Sequence, residues 1–144
     1  MEQRKPVSSE PQAGAGPREV RTEAAPAPVG PYSQGVVASG PFLFTAGQLG
    51  LDPKTGRLVG EDVASQTRQA LLNLKAVLEA GGTCLANVVK TTVFLADMKD
   101  FAAMNEVYRE FFATEPAPAR SCIQVACLPL NALVEIEAVA CYRD

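Results

Sequence analysis

Two stretches of the chain repeat apolar residues at steps of three and four positions, a spacing that predicts amphipathic helices. The first predicted helix covers residues 61–80, and Asp62 is placed to cap its start. The second covers residues 97–112, and Pro116 and Pro118 prevent it from continuing. The two apolar stripes consist of Val63, Ala70, Leu71, Leu74, Val77 and Leu78, and of Phe101, Met104, Tyr108 and Phe111. Each stripe predicts one helix face that packs against a core.

Short runs of β-prone residues outside these helices predict strands. Residues 34–38 and 42–46 flank a Gly-Pro turn signal, so they predict an antiparallel hairpin. Residues 86–95 are rich in Val and Thr and predict a half-exposed strand between the helices. Residues 121–128 and 133–142 predict a second hairpin at the end of the chain.

This order of elements predicts an α+β fold in which both helices cover one face of a sheet. The opposite face would carry Glu135 and Glu137 among many apolar side chains, so we expect another subunit to cover it. Residues 1–17 are rich in polar and small residues without an apolar period, and they predict a disordered tail. The folded domain then spans residues 18–144.

Composition and charge narrow the classes of function. The chain has 144 residues, of which 47% are hydrophobic, which suffices for one domain with a packed core. The net charge of -3 argues against nucleic-acid binding, because such proteins usually present a basic face. No apolar run is long enough to cross a bilayer, and the N-terminus lacks the apolar segment of a secretory signal. We therefore expect a cytoplasmic protein that makes no membrane contact.

The chain contains four cysteines and no histidine. The cysteines are Cys84, Cys122, Cys127 and Cys141. No two of them have the C-x-x-C spacing of a zinc site, so we expect reduced, mostly buried thiols and no metal. The lack of histidine excludes nucleophiles that imidazole activates. Any chemistry must then rely on other polar side chains or on water.

Arg120 stands at the start of a predicted strand, where its guanidinium group could bind a small carboxylic acid through two parallel hydrogen bonds. Glu135 would then be a candidate to orient or deprotonate a water molecule. In the alternative interpretation, Arg120 forms a structural ion pair with Glu135 or Glu137 on an adjacent strand. On the residues alone the structural pair is favoured, because the spacing specifies no chemistry.

Five further residues each have a functional and a structural interpretation. Tyr32 could close a pocket or anchor the entry of the chain by packing, and packing is favoured. Asn105 and Tyr108 are neighbours on the second helix, where surface or interface residues are more common than catalysts. Cys122 could have a pKa lowered by the nearby arginine, but a buried strand thiol is favoured. Gly47 could mark a close approach of the backbone to another group.

Five sequence blocks spread over the chain form one ordered set. They are GPYSQ at residues 30–34, AGQLGLDP at 46–53, NVVKTTV at 87–93, PARS at 118–121 and VEIEA at 134–138. Together they resemble the signature blocks of the RidA (YjgF) family, the reactive-intermediate or enamine/imine deaminases. The resemblance runs from roughly residue 18 to the end of the chain, and five blocks in order are far more specific than one motif.

The resemblance implies a chorismate-mutase-like fold with a mixed sheet, assembled into a barrel-like homotrimer with sites in the clefts between subunits. It implies hydrolysis of 2-aminoacrylate and related 2-imino and 2-enamino acids to 2-oxo acids and ammonia, without a cofactor. Pyridoxal-phosphate enzymes such as serine and threonine dehydratases release these intermediates. The activity would therefore protect pyridoxal-phosphate enzymes.

The resemblance also assigns roles position by position. It matches Arg120 to the residue that binds the substrate carboxylate and Glu135 to the residue that holds the catalytic water. The substrate-binding positions that it implies are Tyr32, Gly47, Asn105, Tyr108 and Cys122. Two departures, Ala46 in place of a common Ser and Ala117 in place of a common bulky residue, could shift the range of substrates.

Three other functions stay open. A trimer could bind 2-oxo acids without turnover, and replacing Glu135 by Gln would then leave its function intact. Some relatives are assigned ribonuclease activity, but the acidic balance and the lack of histidine count against it here. A chaperone-like role is reported for other relatives, and the sequence favours neither its presence nor its absence.

Overall fold

The secondary structure alternates strands with two helices along the chain. The structure is a computed structural model, and it describes residues 16–143. Helices α1 and α2 cover Val63–Ala80 and Phe101–Phe111. The strands are β1 (Arg18–Val20), β2 (Gly35–Val37), β3 (Phe42–Phe44), β4 (Gln48–Leu49), β5 (Val88–Leu95), β6 (Ala119–Gln124) and β7 (Val134–Cys141). Residues 1–15 of the predicted tail lie outside the described part of the chain.

Five of the strands form one mixed sheet in the order β3–β7–β5–β6, in which β4 also pairs with β7. Strand β7 runs antiparallel to β3, β4 and β5, whereas β6 runs parallel to β5. The parallel pair follows from α2, because a parallel neighbour requires a crossover that carries the chain back to the same edge. Strands β1 and β2 form a separate antiparallel ribbon.

Both predicted hairpins are wrong. Strand β2 pairs with β1 rather than with β3, and β3 pairs with β7, where Leu43 packs against the core. The last two strands do not pair with each other, because β5 lies between β6 and β7. A turn signal reports only that the chain reverses locally. It does not report which partner each strand finds elsewhere in the chain: β3 pairs with the long, largely buried β7, whereas β2 pairs with the short, exposed β1.

The helix boundaries agree with the sequence patterns to within a few residues. Asp62 caps α1 as predicted, since its carboxylate accepts hydrogen bonds from the amide and the hydroxyl of Ser65 at 2.8 and 2.7 Å. These bonds lower the pKa of Asp62. Helix α2 begins at Phe101, later than predicted, because Met98–Asp100 forms a 3-10 turn. Within residues 16–143, neither helix is long and apolar enough to span a membrane.

The core lies between the two helices and one face of the sheet. Its fully buried side chains include Leu71, Leu74, Leu78, Val93, Leu95, Met104, Tyr108, Val134 and Ile136. The helical residues in this set all belong to the predicted stripes. One residue of the predicted α1 stripe, however, is not buried. Val77 is 38% exposed, so the buried face of α1 is narrower than predicted. Both helices lie on one sheet face, which confirms the predicted α+β arrangement.

The other sheet face, here called the open face, carries no helix within residues 16–143. Because side chains alternate along a strand, the neighbours of the core residues point to this face. Glu137 lies opposite Thr92 in the ladder, and Glu135 lies opposite Phe94. At the sheet edge, Phe44 is 73% exposed. The predicted combination of carboxylates and apolar groups on one face is therefore confirmed.

Candidate functional site

The side chain of Arg120 lies on the helix-covered face of the sheet, at the start of edge strand β6. Its register partner Thr91 is fully buried, and its Nη1 donates a hydrogen bond of 2.6 Å to Oδ1 of Asn105 on α2. Asn105 is itself buried. The prediction that Asn105 lies on the helix surface is therefore wrong, because α2 turns this residue towards β6.

Three aromatic rings surround the Arg120 guanidinium. Its central carbon lies 4.8 Å from the ring centroid of Tyr108, 5.2 Å from that of Tyr32 and 5.6 Å from that of Phe101. Burial lowers the pKa of Arg120, yet a guanidinium remains charged at neutral pH. Among residues 16–143, no carboxylate lies within ion-pair distance of it. The site therefore holds a cation that lacks an anion.

Tyr108 forms the base of this aromatic enclosure. It is fully buried, its hydroxyl shares a hydrogen bond of 2.7 Å with that of Thr91, and its ring packs on Phe112 at 4.6 Å between centroids. Burial raises the pKa of Tyr108 to about 12. Its phenol is thus neutral at neutral pH and already paired, so Tyr108 supports the guanidinium by packing. Sequence patterns place it correctly in the core stripe and wrongly on the helix surface.

Tyr32 reaches the site on a loop that closes over Arg120. The loop is fastened to the segment before β6, because Ser33 donates a hydrogen bond of 3.0 Å from its amide to the carbonyl of Pro118. Gly30 lies so near that a Cβ there would be 3.1 Å from Nη2 of Arg120. A side chain at position 30 would therefore press against the guanidinium and displace it slightly. Tyr32 both anchors the chain entry and forms one wall of the site.

Cys122 lies two residues after Arg120 and therefore on the same face of β6. Its thiol is half-buried and packs against the core. Burial raises the pKa of Cys122, although the charge of Arg120 opposes the rise. The interpretation of Cys122 as a thiol of lowered pKa is therefore wrong, since desolvation outweighs the nearby cation. The favoured interpretation as a buried strand thiol agrees with its position.

Glu135 lies on the open face, on strand β7, next to Gly47. A Cβ on Gly47 would collide with the Glu135 carboxylate, lying 2.7 Å from its Cδ and 2.9 Å from its Cγ. Gly47 therefore marks a close approach, as predicted, and the group that approaches is this carboxylate. No hydrogen bond from the described residues occupies the Glu135 carboxylate. The two residues form a second small site with an accessible anion.

Arg120 and Glu135 do not meet within one chain. Arg120 lies opposite Thr91 and Thr91 opposite Ala138, so two strand spacings separate β6 from β7. Glu135 is three positions further along β7, which places the two Cα atoms about 14 Å apart, with the side chains on opposite faces. The interpretation as a structural Arg120–Glu pair is therefore wrong, because β5 separates the strands. A single chain presents two half-sites, an arginine half and a glutamate half.

Two contributors to the arginine half were not singled out as site residues by sequence reasoning. Phe101 stacks near the guanidinium, and Thr91 holds the Tyr108 hydroxyl. Phe101 precedes Asn105 by four residues, so helical spacing alone could have placed both on one side of α2. Thr91 carries no comparable signal. Residues 16–143 contain no cluster of three or more acidic, cysteine or histidine side chains that could bind a metal ion.

Comparison with known proteins gives concordant matches across nearly the whole domain. The sequence model of the Endoribonuclease L-PSP family matches residues 22–142. A RutC family protein of Pyrococcus horikoshii is 57% identical over 123 residues, which are 85% of this chain and 95% of that protein. A 2-iminobutanoate/2-iminopropanoate deaminase of Salmonella typhimurium is 51% identical over 126 residues, 86% of this chain and 97% of the deaminase.

Solved structures agree with the fold. The crystal structure of E. coli TdcF with bound serine matches with a TM-score of 0.67 and 44% identity, and the match covers 87% of this chain and 98% of that one. The span matched by the family model includes both half-sites, from Tyr32 to Glu135.

Proposed function

The chain belongs to the YjgF/RidA family, whose members at about 50% identity include deaminases, and we propose that it hydrolyses 2-imino acids and their 2-enamino tautomers. The substrates would be 2-iminopropanoate, 2-iminobutanoate and 2-aminoacrylate, and the products 2-oxo acids and ammonia. Pyridoxal-phosphate enzymes that eliminate from serine or threonine would supply the substrates. The proposed location is the cytoplasm, where the four free thiols of the described residues would stay reduced.

The observation that carries the proposal is the guanidinium of Arg120, which has no carboxylate partner in the described chain. The amide of Asn105 holds one of its nitrogens, and three aromatic rings flank it. A planar carboxylate fits the remaining N–H groups in a bidentate geometry. The serine bound to TdcF is a small molecule that carries such a carboxylate, which supports this ligand class.

The separation of the half-sites supports an assembly of several copies. The proposed homotrimer would place the arginine half of one subunit against the glutamate half of its neighbour. An apolar, partly exposed sheet face is suited to such burial, since Phe44 and Ile123 on it are 73% and 45% exposed. The edge strand β6, which begins beside Arg120, would lie near this contact.

The chemistry follows from the two charges. Arg120 binds the substrate carboxylate and so fixes C2 of the imine in position. Glu135 of the neighbouring copy accepts a proton from a water molecule while the oxygen of that water bonds to C2, which gives a tetrahedral adduct. Glu135 returns this proton to the nitrogen, which completes the carbinolamine, and then transfers the hydroxyl proton to the same nitrogen. The C–N bond breaks, and ammonia leaves as the carbonyl forms. Because this hydrolysis also proceeds in water, positioning and modest electrostatic stabilisation suffice.

A coupled assay tests the proposal. A pyridoxal-phosphate dehydratase acting on serine generates 2-aminoacrylate, and pyruvate release is timed with the native protein, with Arg120→Ala, with Arg120→Lys and with no addition. We expect acceleration by the native protein, none by Arg120→Ala and a partial effect of Arg120→Lys, which keeps the charge but loses the planar fork. A native protein that leaves the rate unchanged contradicts the proposal.

The same preparations separate the alternative functions. If the native protein does not accelerate the reaction but binds 2-oxobutanoate by calorimetry, and Arg120→Ala does not, the non-catalytic binding trimer is supported. If RNA binding falls steeply between about 50 and 200 mM salt, as binding that depends on phosphate contacts does, the ribonuclease hypothesis gains support. The deaminase proposal predicts neither of these results.

A further inference from the structure

The chain between β1 and β2 forms a closed loop that ends at the arginine half-site. Val20 pairs with Gly35 at the base of the ribbon, so residues 21–34 leave and return at the same point. These residues form no helix and no extended strand. A loop of this length without regular structure needs specific contacts to hold one conformation.

The side chain of Gln34 supplies such contacts from inside the loop. Its Oε1 accepts a hydrogen bond of 2.8 Å from the amide of Thr22, and its Nε2 donates one of 2.7 Å to the carbonyl of Pro26. Nε2 also lies 3.2 and 3.3 Å from the carbonyls of Thr22 and Ala25, which compete for its second hydrogen. One amide therefore fastens both ends of the segment 22–26 to the returning chain.

The fastened loop leads directly to Tyr32. The amide of Val29 donates a hydrogen bond of 3.2 Å to the Tyr32 hydroxyl, and the amide of Tyr32 donates one of 2.9 Å to the carbonyl of Gly30. The Tyr32 ring in turn stacks on the Arg120 guanidinium. Ser33 holds the loop to the segment before β6 through hydrogen bonds, and Gln34 holds it to residues 22–26. The position of Tyr32 thus depends on both.

We propose that Gln34 is a positioning residue for the arginine half-site: its amide holds residues 22–26 in place and thereby keeps the Tyr32 ring against Arg120. The hydrogen bonds of Gln34 are exposed to solvent, so the loop would open locally without them. The substrate class used in the kinetic test depends on the proposed function. The mechanical role of Gln34 does not depend on it.

The test compares Gln34→Met, which keeps the length of the side chain and removes its hydrogen bonds, with the native protein. A matched control is Gln69→Met on α1, because the Gln69 amide donates only to the side chain of Asn73. In Gln34→Met we expect amide hydrogen exchange to accelerate within residues 21–33 and to stay unchanged in β5. We expect KM to rise about tenfold, as for a site whose competent form is populated about a tenth of the time, with kcat within about twofold.

A double variant asks whether Gln34 acts through Tyr32. In a Tyr32→Ala background, Gln34→Met should raise KM no further, because the ring that it positions is gone. Unchanged exchange within residues 21–33 in Gln34→Met, or a further tenfold rise of KM in the double variant, would overturn the inference. An inactive native protein would contradict the proposed function instead. The hydrogen-exchange result would then still decide whether Gln34 holds the loop.

Discussion

The two half-sites of this chain differ in how completely one copy builds them. The arginine half is enclosed, since Asn105, Tyr108 and the Tyr32 loop surround the guanidinium and fix its direction. The glutamate half consists of Glu135 on an open sheet face, with Gly47 beside it. A cation that must bind a ligand carboxylate benefits from a rigid surrounding, because little ordering is left to occur on binding. In the proposed assembly, a neighbouring copy of the chain would complete the glutamate half.

The largest expected effect comes from mixing two variants that are each inactive. Arg120→Ala lacks one half-site and Glu135→Gln lacks the other, so neither alone should turn over 2-aminoacrylate. In randomly mixed copies of the proposed trimer, about one site in four would combine both native halves, because each proposed site takes one residue from each of two neighbours. We therefore expect about a quarter of the native activity after the subunits are exchanged by unfolding and refolding together.

Native mass spectrometry provides the control for this experiment by showing that mixed oligomers have formed. Variants carrying tags of different mass make each composition visible. Mixed oligomers without recovered activity would show that Arg120 and Glu135 do not share a site.

Gly47→Ala tests the glutamate half alone. The added methyl group must displace the Glu135 carboxylate, so we expect kcat to fall about 30-fold or more, in line with the effect of misplacing a reacting group. Substrate binding at the arginine half should change little, so KM should stay near its native value. An unchanged kcat in Gly47→Ala would show that the Glu135 carboxylate does not act from its position beside Gly47.

Substitutions at Asn105 test whether substrate binding requires an arginine half without a carboxylate. Asn105→Asp has nearly the same shape but places an anion 2.6 Å from Nη1 of Arg120, where it competes with the substrate. Asn105→Ala removes the hydrogen bond and adds no charge. We expect KM to rise about tenfold for Ala and considerably more for Asp, because a carboxylate at this position pairs with the guanidinium charge more strongly than the neutral amide of Asn105 does. Equal KM values for the two variants would contradict the requirement for an unpaired cation.

Tyr108→Phe should have the smallest effect on activity and a clear effect on stability. Loss of the hydroxyl leaves that of Thr91 buried without its partner, which costs about 1–3 kcal/mol of the free energy of unfolding. The ring remains, so KM should change less than about threefold, since the stacking contact persists. Urea denaturation measures the first effect, and Tyr108→Phe with Thr91→Val should recover part of the loss.

The same residue predicts a pH dependence of stability. The pKa of Tyr108 is raised from 10.0 to about 12, so its protonated form is favoured in the folded state. Its contribution to stability is complete below pH 10 and is lost as the pH rises towards 12, because only the unfolded chain then ionises readily. Tyr108→Phe should remove this part of the alkaline destabilisation. If native and variant unfold with the same pH dependence between 10 and 12, the phenol is not buried as described.

Local patterns in the sequence determined the helices, and the motif resemblance supplied the proposed site residues. The periodic spacing of apolar residues and the capping carboxylate of Asp62 place α1 within two residues of its start, because these interactions lie within one helical turn. Motif resemblance selected residues that lie in one or other half-site, among them Arg120, Glu135 and Gly47. Which element each of these residues belongs to was equally predictable, since strand and helix assignment depends on nearby neighbours.

Only the tertiary structure decided which strands pair and which residues face each other. Alternation along a strand shows that Glu135 and Glu137 share a face, but it does not show that β5 separates them from Arg120. The strand order depends on contacts between segments that are far apart in sequence. The free energy of these contacts is set by the burial of the whole sheet. The same long-range packing turned Asn105 from an expected surface position towards the core. The physical reason is that a helix pattern specifies a buried face, whereas its partner is chosen by the sheet against which it packs.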